Sequence, residues 1–245
     1  MDLIFDTIFP PFMVSSHSDT GVLAFMEDIL FNATVASKVI SRLREEIIIG
    51  RLSAGTHITI KEIAEAYKVS FMPVREAFRA LEGERLLEIV PYKGAIVKRI
   101  DEDFIRDMFG ALSALEVYMT EAAMKRIGEK EIQTLLDINA KVFALQDTPE
   151  DVGRYLDLNT AFHSTIFAWS GNAITQALHK YYHSLVRTMR SRYRHPYSRI
   201  MACAREHDDI IRAMQTKNTY LLKSAVDKHM EDAQECLLRQ YSSEN

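Results

Sequence analysis

The sequence predicts a mainly α-helical chain: an N-terminal winged helix-turn-helix followed by a C-terminal antiparallel all-helical bundle. Three observations predict it. Two short amphipathic stretches meet at a tight break, Lys68-Val69-Ser70. Two short runs of apolar and β-branched residues, Leu87 to Val90 and Ala95 to Val97, flank the turn Pro91-Tyr92-Lys93-Gly94, as in a hairpin. From Asp101 to Tyr241 the apolar periodicity is helical throughout, with no strand pattern and no internal repeat.

Residues 1–32 read as an extension, because Pro10-Pro11 and the polar run Ser15 to Asp19 break periodicity, with a short amphipathic stretch from Val22 to Phe31. Residues 33–100 form the predicted DNA-binding domain. Val35, Val39, Ile40, Leu43 and Ile47 recur at helical spacing, and Gly50 and Gly55 bracket a polar turn that holds His57. A second helix runs from Lys61 to Tyr67, with Ile60, Ile63 and Ala64 inward. The third starts after Ser70, a good N-cap residue, carries Pro73 in its first turn, and turns Val74, Ala77, Phe78 and Leu81 inward. A tight turn before the third of three short helices, then a hairpin, makes a winged helix-turn-helix. Residues 101–245 form the predicted antiparallel bundle, with helices near 101–126, 129–146, 149–170, 173–195, 198–216 and 218–241. Gly128, Thr148-Pro149, Gly171-Asn172, Pro196 and Lys217-Asn218 separate them, and Asp101, Thr148 and Asn218 are the expected caps.

The formal net charge of −4 conceals an asymmetry. Residues 33–100 carry twelve Lys and Arg against eight acids, whereas residues 1–32 hold five acids and no Lys or Arg. A basic excess confined to one segment points to a polyanionic partner for that segment. No apolar run approaches the ~18 residues that span a bilayer, and no basic leader opens the chain, so neither membrane insertion nor secretion is expected. Cys203 and Cys236 are too few for a disulfide framework and read as ordinary thiols near helix surfaces; a reducing cytoplasm is the expected compartment.

The stretch VSFMPVREAFRALEGERLL (69–87), preceded by IIIGRLSAGTHI (47–58), resembles the GntR superfamily of bacterial transcription regulators. NTAFHSTIFAWSGN (159–172), EHDDIIRAM (206–214) and AVDKHMEDA (225–233) resemble the all-helical FCD-type effector domain of its FadR-like branch. The resemblance covers about residues 33–241 and implies a homodimer that binds double-stranded operator DNA under the control of a small effector.

A helix fits the major groove, where base edges are readable. Phe71, Arg75 and Arg79 are spaced i, i+4 and i+8 and share a stripe of the third helix. Arg75 is suited to a bidentate contact with guanine, and Arg79 and Lys61 to phosphates; the alternative for each is a solvated surface charge. Tyr92, Lys93 and Gly94 occupy the wing turn, which in the resembling family approaches the minor groove. Ser70 is followed by Phe71, where that family usually has Arg, so the usual guanine-containing operator does not transfer; Phe71 suits a thymine methyl or a packing contact.

The resemblance also implies a divalent metal such as Zn, Ni or another transition ion. The matching positions are Asn159, His163, His207 and His229. The family's usual Asp is replaced by Asn159, a neutral donor, and the alternative is a polar cavity whose imidazoles bond the effector or water directly. His179 and His183, also i and i+4, read as a surface or packing pair, and His195 before Pro196 as a helix end that favours a cation. The implied effector is a small carboxylic or sugar acid. The family's Arg in the first bundle helix is Ser113 here, in LSALE (112–116), so Arg187, Arg190 and Arg194 are the candidates to hold it, or else form an outer basic stripe or interface. Effector binding is expected to control DNA affinity, with no enzymatic activity. The alternatives are a metal-dependent hydrolase in the helical domain and a protein-interaction scaffold that uses the winged helix.

Overall fold

The computed structural model describes residues 34–191, 193 and 195–244. The extension at 1–32 and Arg194 lie outside the described residues. The chain divides into two compact units between Ile100 and Asp101.

The first unit contains helices α1 (Val35–Ile48), α2 (Ile60–Tyr67) and α3 (Phe71–Gly83), and strands β1 (His57–Ile58), β2 (Leu87–Val90) and β3 (Gly94–Val97). Its core is built from the predicted apolar stripes: Val39, Leu43 and Ile47 of α1, Ile63 and Ala64 of α2, and Val74, Ala77, Phe78 and Leu81 of α3 are all buried. Val35, at the start of α1, is exposed instead. Arg44 makes a bidentate ion pair with Glu84, both contacts at 2.7 Å, and ties α1 to the residue that ends α3. α2 opens on a capping box: the Thr59 hydroxyl accepts from Glu62 N–H, and the Glu62 carboxylate accepts from Thr59 N–H. Ser70 holds the N-cap position of α3, but its side chain makes no capping hydrogen bond.

The sheet order is β1-β3-β2, all antiparallel. His57 therefore stands in a third strand and not in a turn. A two-residue strand leaves no alternation to read, and β1 exists because Ile58 pairs with Ala95 beside the hairpin. Gly94 makes this junction possible. Its φ is +122°, and a Cβ there would lie 2.3 Å from the Ile58 carbonyl oxygen. Gly94→Ala is expected to destabilise the first unit by ~1–3 kcal/mol through this strain, read as a lowered urea midpoint with an unchanged slope.

The second unit contains α4 (Glu102–Met124), α5 (Glu129–Phe143), α6 (Pro149–Ser170), α7 (Ala173–Ser191), α8 (Tyr197–Gln215) and α9 (Thr219–Glu244), which brings the helices among the described residues to nine. Asp101 and Thr148 accept the first-turn N–H groups of α4 and α6, and Asn218 accepts from Leu221 N–H at 3.0 Å. α4 packs against α6, α7 and α9, while α8 packs against α5 and α9. Each helix gives the bundle an apolar stripe, as in Ile105, Phe109, Leu112 and Met119 of α4, or Leu222, Val226 and Leu237 of α9. α7 ends at Ser191, short of the predicted 195. Among the described residues no helix is long and apolar enough to cross a membrane.

Candidate functional site

In the first unit a groove of about 630 Å³ is lined by Lys61, Arg75, Arg79, Tyr92, Lys93 and Gly94, together with apolar residues such as Phe78 and Ile89. Six of the eight residues singled out for DNA contact thus surround one concavity between α2, α3 and the β2–β3 turn. Arg75, Arg79, Lys93 and the fully exposed Tyr92 present their side chains to solvent. Lys61 is 3.9 Å from Glu65, an exposed i,i+4 pair that holds it weakly. Phe71 is exposed at the start of α3, on the stripe shared with Arg75 and Arg79. Ser70 faces a different concavity, with Thr34, Lys68 and Pro73.

In the second unit, polar residues take inward positions of four otherwise apolar stripes: Glu116 of α4, Asn159 and His163 of α6, His207 of α8 and His229 of α9 are all buried. Buried polar groups must be hydrogen-bonded, and the partners here assign each imidazole's tautomer. The Asn139 amide donates to the Ala204 carbonyl at 2.8 Å and to the Asp208 carboxylate at 2.7 Å. Its oxygen therefore accepts from His207 Nδ1 at 3.2 Å. His229 Nδ1 donates to Glu206 at 2.8 Å, and His163 Nδ1 donates to Glu116 at 3.1 Å. A carboxylate only accepts, so Nδ1 is the donor nitrogen of each ring and Nε2 is the atom left to offer a lone pair to a ligand. One ligand nitrogen from each of the three lies within 4.8 Å of the others. The Nε2 atoms of His163 and His229 are 3.3 Å apart.

Burial, reinforced by the neighbouring imidazoles, holds His207 well below its ordinary pKa; burial likewise lowers His229, although Glu206 opposes it. Burial would raise the Glu116 carboxyl, but His163 and His179 outweigh it and hold the group well below the usual carboxylate range. Glu206 behaves alike: burial is outweighed by His229 and by Arg199, which grips it at 2.7 and 2.9 Å, and its pKa falls to about 2. A depressed carboxyl pKa stabilises the fold above its unfolded value of ~4.3, and that stability is lost as pH falls towards the folded value. The stability difference between the wild type and Glu206→Gln in urea unfolding is therefore expected to be flat above pH ~5 and to shrink from there towards pH ~2.

Several expectations require correction. His179 is buried, not superficial: its Nε2 donates to the second Glu116 oxygen at 3.1 Å. His183 is half-buried with its ring centroid 5.3 Å from that of His179 and 6.1 Å from that of His163, so the pair extends the same cluster. The i,i+4 spacing could not reveal this, because Glu116 of α4 joins His179 to His163 through its two carboxylate oxygens. His195 is buried, and burial together with the charges of Arg190 and Arg199 lowers its pKa to about 4, so it is neutral and not a helix-terminal cation. Cys203 is buried within the bundle rather than near a helix surface, with its Sγ 3.4 Å from Asn159 Oδ1 and 3.5 Å from His207 Nε2. Cys236 is partly buried.

Of the candidate effector residues, Arg187 bonds Asp157 at 2.7 Å and the Thr160 hydroxyl at 3.2 Å, which ties α7 to α6. Arg190 is close enough to Tyr155, His183, His195 and Cys203 for its charge to act on each. Ser113 donates to Asp227 at 3.2 Å. Sequence reasoning missed Glu116, Asn139, Arg199 and Glu206. Glu116 was open to detection, as an acid in phase with Ile105, Leu112 and Met119.

A winged helix-turn-helix with a cationic groove, carried on one chain with a helical bundle that encloses a polar centre, defines a DNA-binding regulator with a second, ligand-type domain. The family model for bacterial regulatory proteins of the gntR family matches residues 35–97, and that for the FCD domain matches residues 107–232. The chain belongs to the GntR-family transcription regulators that carry an FCD domain. Gluconate operon transcriptional repressors are similar along most of their length: that of Bacillus licheniformis is 24% identical over 230 residues, covering 89% of this chain and 90% of the relative. The HTH-type transcriptional repressor RspR of Escherichia coli is 26% identical, covering 83% of this chain and 88% of the relative. Among solved structures, E. coli McbR/YncC shares the fold with a TM-score of 0.63 at 18% identity, covering 85% of this chain and 99% of that one. These families and relatives are transcription regulators, not enzymes, which answers the hydrolase alternative.

Proposed function

We propose that the chain is an effector-gated repressor that binds a two-fold operator as a homodimer, and that its helical domain holds a small carboxylic or sugar acid together with a divalent metal. The observation that carries this reading is the convergence of three Nε2 lone pairs, each oriented by a separate Nδ1–H bond to Glu116, Asn139 or Glu206. Metal-ligating histidines are characteristically held through their other ring nitrogen in this way. Two facing lone pairs 3.3 Å apart repel unless a proton or cation lies between them. In a tetrahedral site with Zn–N of ~2.0–2.1 Å, two ligand nitrogens are about 3.3 Å apart, so the donor set fits a dication held by His163, His207 and His229. A Lewis-acidic ion there supplies an attachment point for a carboxylate. Arg190 contributes positive charge beside it, and Arg187 remains a candidate second contact. The effector class is supported by relatives named for the gluconate operon, gluconate being a sugar acid.

In the DNA-binding unit, Arg75 reads a base edge, Lys61, Arg79 and Lys93 hold phosphates, and the wing turn Tyr92 to Gly94 enters the minor groove. Ser70 starts the reading helix and places Phe71 against the DNA. Protein symmetry mirrored in the operator would set the half-site spacing.

A thermal-shift screen with metabolite and sugar acids, run on chelated and metal-restored protein, tests the effector reading. A ligand at 100 times its Kd stabilises the fold by ~2.7 kcal/mol, so a metal-dependent rise in Tm from one acid class is expected. A rise that survives chelation would exclude the metal while keeping the effector.

A further inference from the structure

Three imidazoles and the Asn159 amide carry no anionic group, so this donor set brings no negative charge to a dication. The two nearby carboxylates are committed elsewhere: Glu116 accepts from His163 and His179, and Glu206 accepts from His229 and Arg199. Cys203 sits one turn before His207 on the inward face of α8, with its sulfur 3.5 Å from the lone-pair nitrogen of that residue. Cys203, Glu206 and His229 form a second group whose ligand atoms lie within 4.8 Å of one another, next to the three-His group.

We propose that Cys203 is the fourth, anionic ligand of this centre, so that the bundle holds a borderline or soft dication such as Zn²⁺ on one sulfur and three nitrogens. The proposal rests on the three-His reading above and deepens it by naming the donor that neutralises the ion. In a tetrahedral site with Zn–S of ~2.3 Å and Zn–N of ~2.0–2.1 Å, sulfur and nitrogen are about 3.5 Å apart, the separation found between Cys203 and His207. Burial and the Glu206 charge oppose a thiolate at Cys203, so a bound cation would be needed to hold one. The Tyr155 hydroxyl hydrogen-bonds the sulfur, and Arg199 and Arg190 add positive charge. Burial outweighs them in the protein alone and pushes the thiol pKa up to about 11, so the metal-free site keeps a neutral S–H that points to Asn159 or His207. On binding, the S–H bond breaks, sulfur bonds the metal, and the proton passes to solvent. Hard ions such as Mg²⁺ and Mn²⁺, which favour oxygen ligands, are discriminated against.

The test titrates chelated full-length protein with Co²⁺ and records the thiolate-to-cobalt charge-transfer absorption in the near ultraviolet. One equivalent of Co²⁺ is expected to produce the band in the wild type, a reading that needs no variant, and in Cys236→Ser, which alters the other thiol. Cys203→Ser is expected to lose the band and to bind Zn²⁺ about tenfold more weakly or worse, since loss of even an outer-shell partner costs 10–100-fold. Asn159→Asp in that background should restore affinity without restoring the band. Stoichiometric Co²⁺ binding with no charge-transfer band in the wild type would overturn the proposal and leave the three-His reading standing. Failure of the wild type to bind Co²⁺ or Zn²⁺ at all would overturn both.

Discussion

Replacing His207 by Ala is expected to remove tight metal binding and to lower the stability of the helical unit by ~2–4 kcal/mol. The side chain is fully buried and lies flat on Phe162, with ring centroids 3.8 Å apart at an interplanar angle of 9°. Truncation leaves a cavity whose cost rises with the volume that cannot collapse. It also strands the Asn139 oxygen, a buried acceptor that loses its donor at ~1–3 kcal/mol. Asn139→Ala separates the two effects. That variant keeps the imidazole but frees its tautomer, so Zn²⁺ affinity measured by competition with a chromophoric chelator should fall 10–100-fold. If Asn139→Ala binds Zn²⁺ as the wild type does, the orientation argument fails.

Arg75→Ala is expected to cost ~1–3 kcal/mol of discrimination at one base position, the worth of a bidentate guanine contact. The side chain is exposed and lines the groove between α2, α3 and the wing turn, and its helix is anchored from behind by Val74, Ala77, Phe78 and Leu81. Lys61→Ala should behave differently. A phosphate contact carries no sequence information, so affinity should weaken for all sequences alike and the salt slope should fall by about 1. Fluorescence anisotropy at several salt concentrations, on DNA selected by the protein from a random library, distinguishes the two. Equal losses on selected and random DNA from Arg75→Ala would reassign that residue to the phosphate backbone.

Periodicity made the helices legible because each must bury one stripe, and the phases of α1 to α9 follow from Val39, Leu43 and Ile47 through Leu222, Val226 and Leu237. Local capping chemistry placed Asp101 and Thr148 correctly. Features that depend on contacts between distant segments were not legible. β1 has two residues and exists only because β3 lies beside it. α7 stops at Ser191, and His195 turns into the bundle. The histidines of the centre were found through their motif, but the groups that orient them were not. Asn139 and Glu116 reach His207 and His163 across separations of 68 and 47 positions, which no spacing rule encodes. Cys203 carried one local signal: it lies four residues before His207, in phase with Ile200 and Ile210.

The proposed gating makes DNA affinity depend on occupancy of the centre around His163, His207 and His229. The most direct measurement is a pair of binding curves: affinity for the selected DNA with and without Zn²⁺ and a sugar acid, and affinity for that acid with and without the DNA. Linkage requires the two ratios to be equal, and a common factor of ~5–150 is expected. A ratio of one in both directions, with protein shown to bind each ligand, would contradict it.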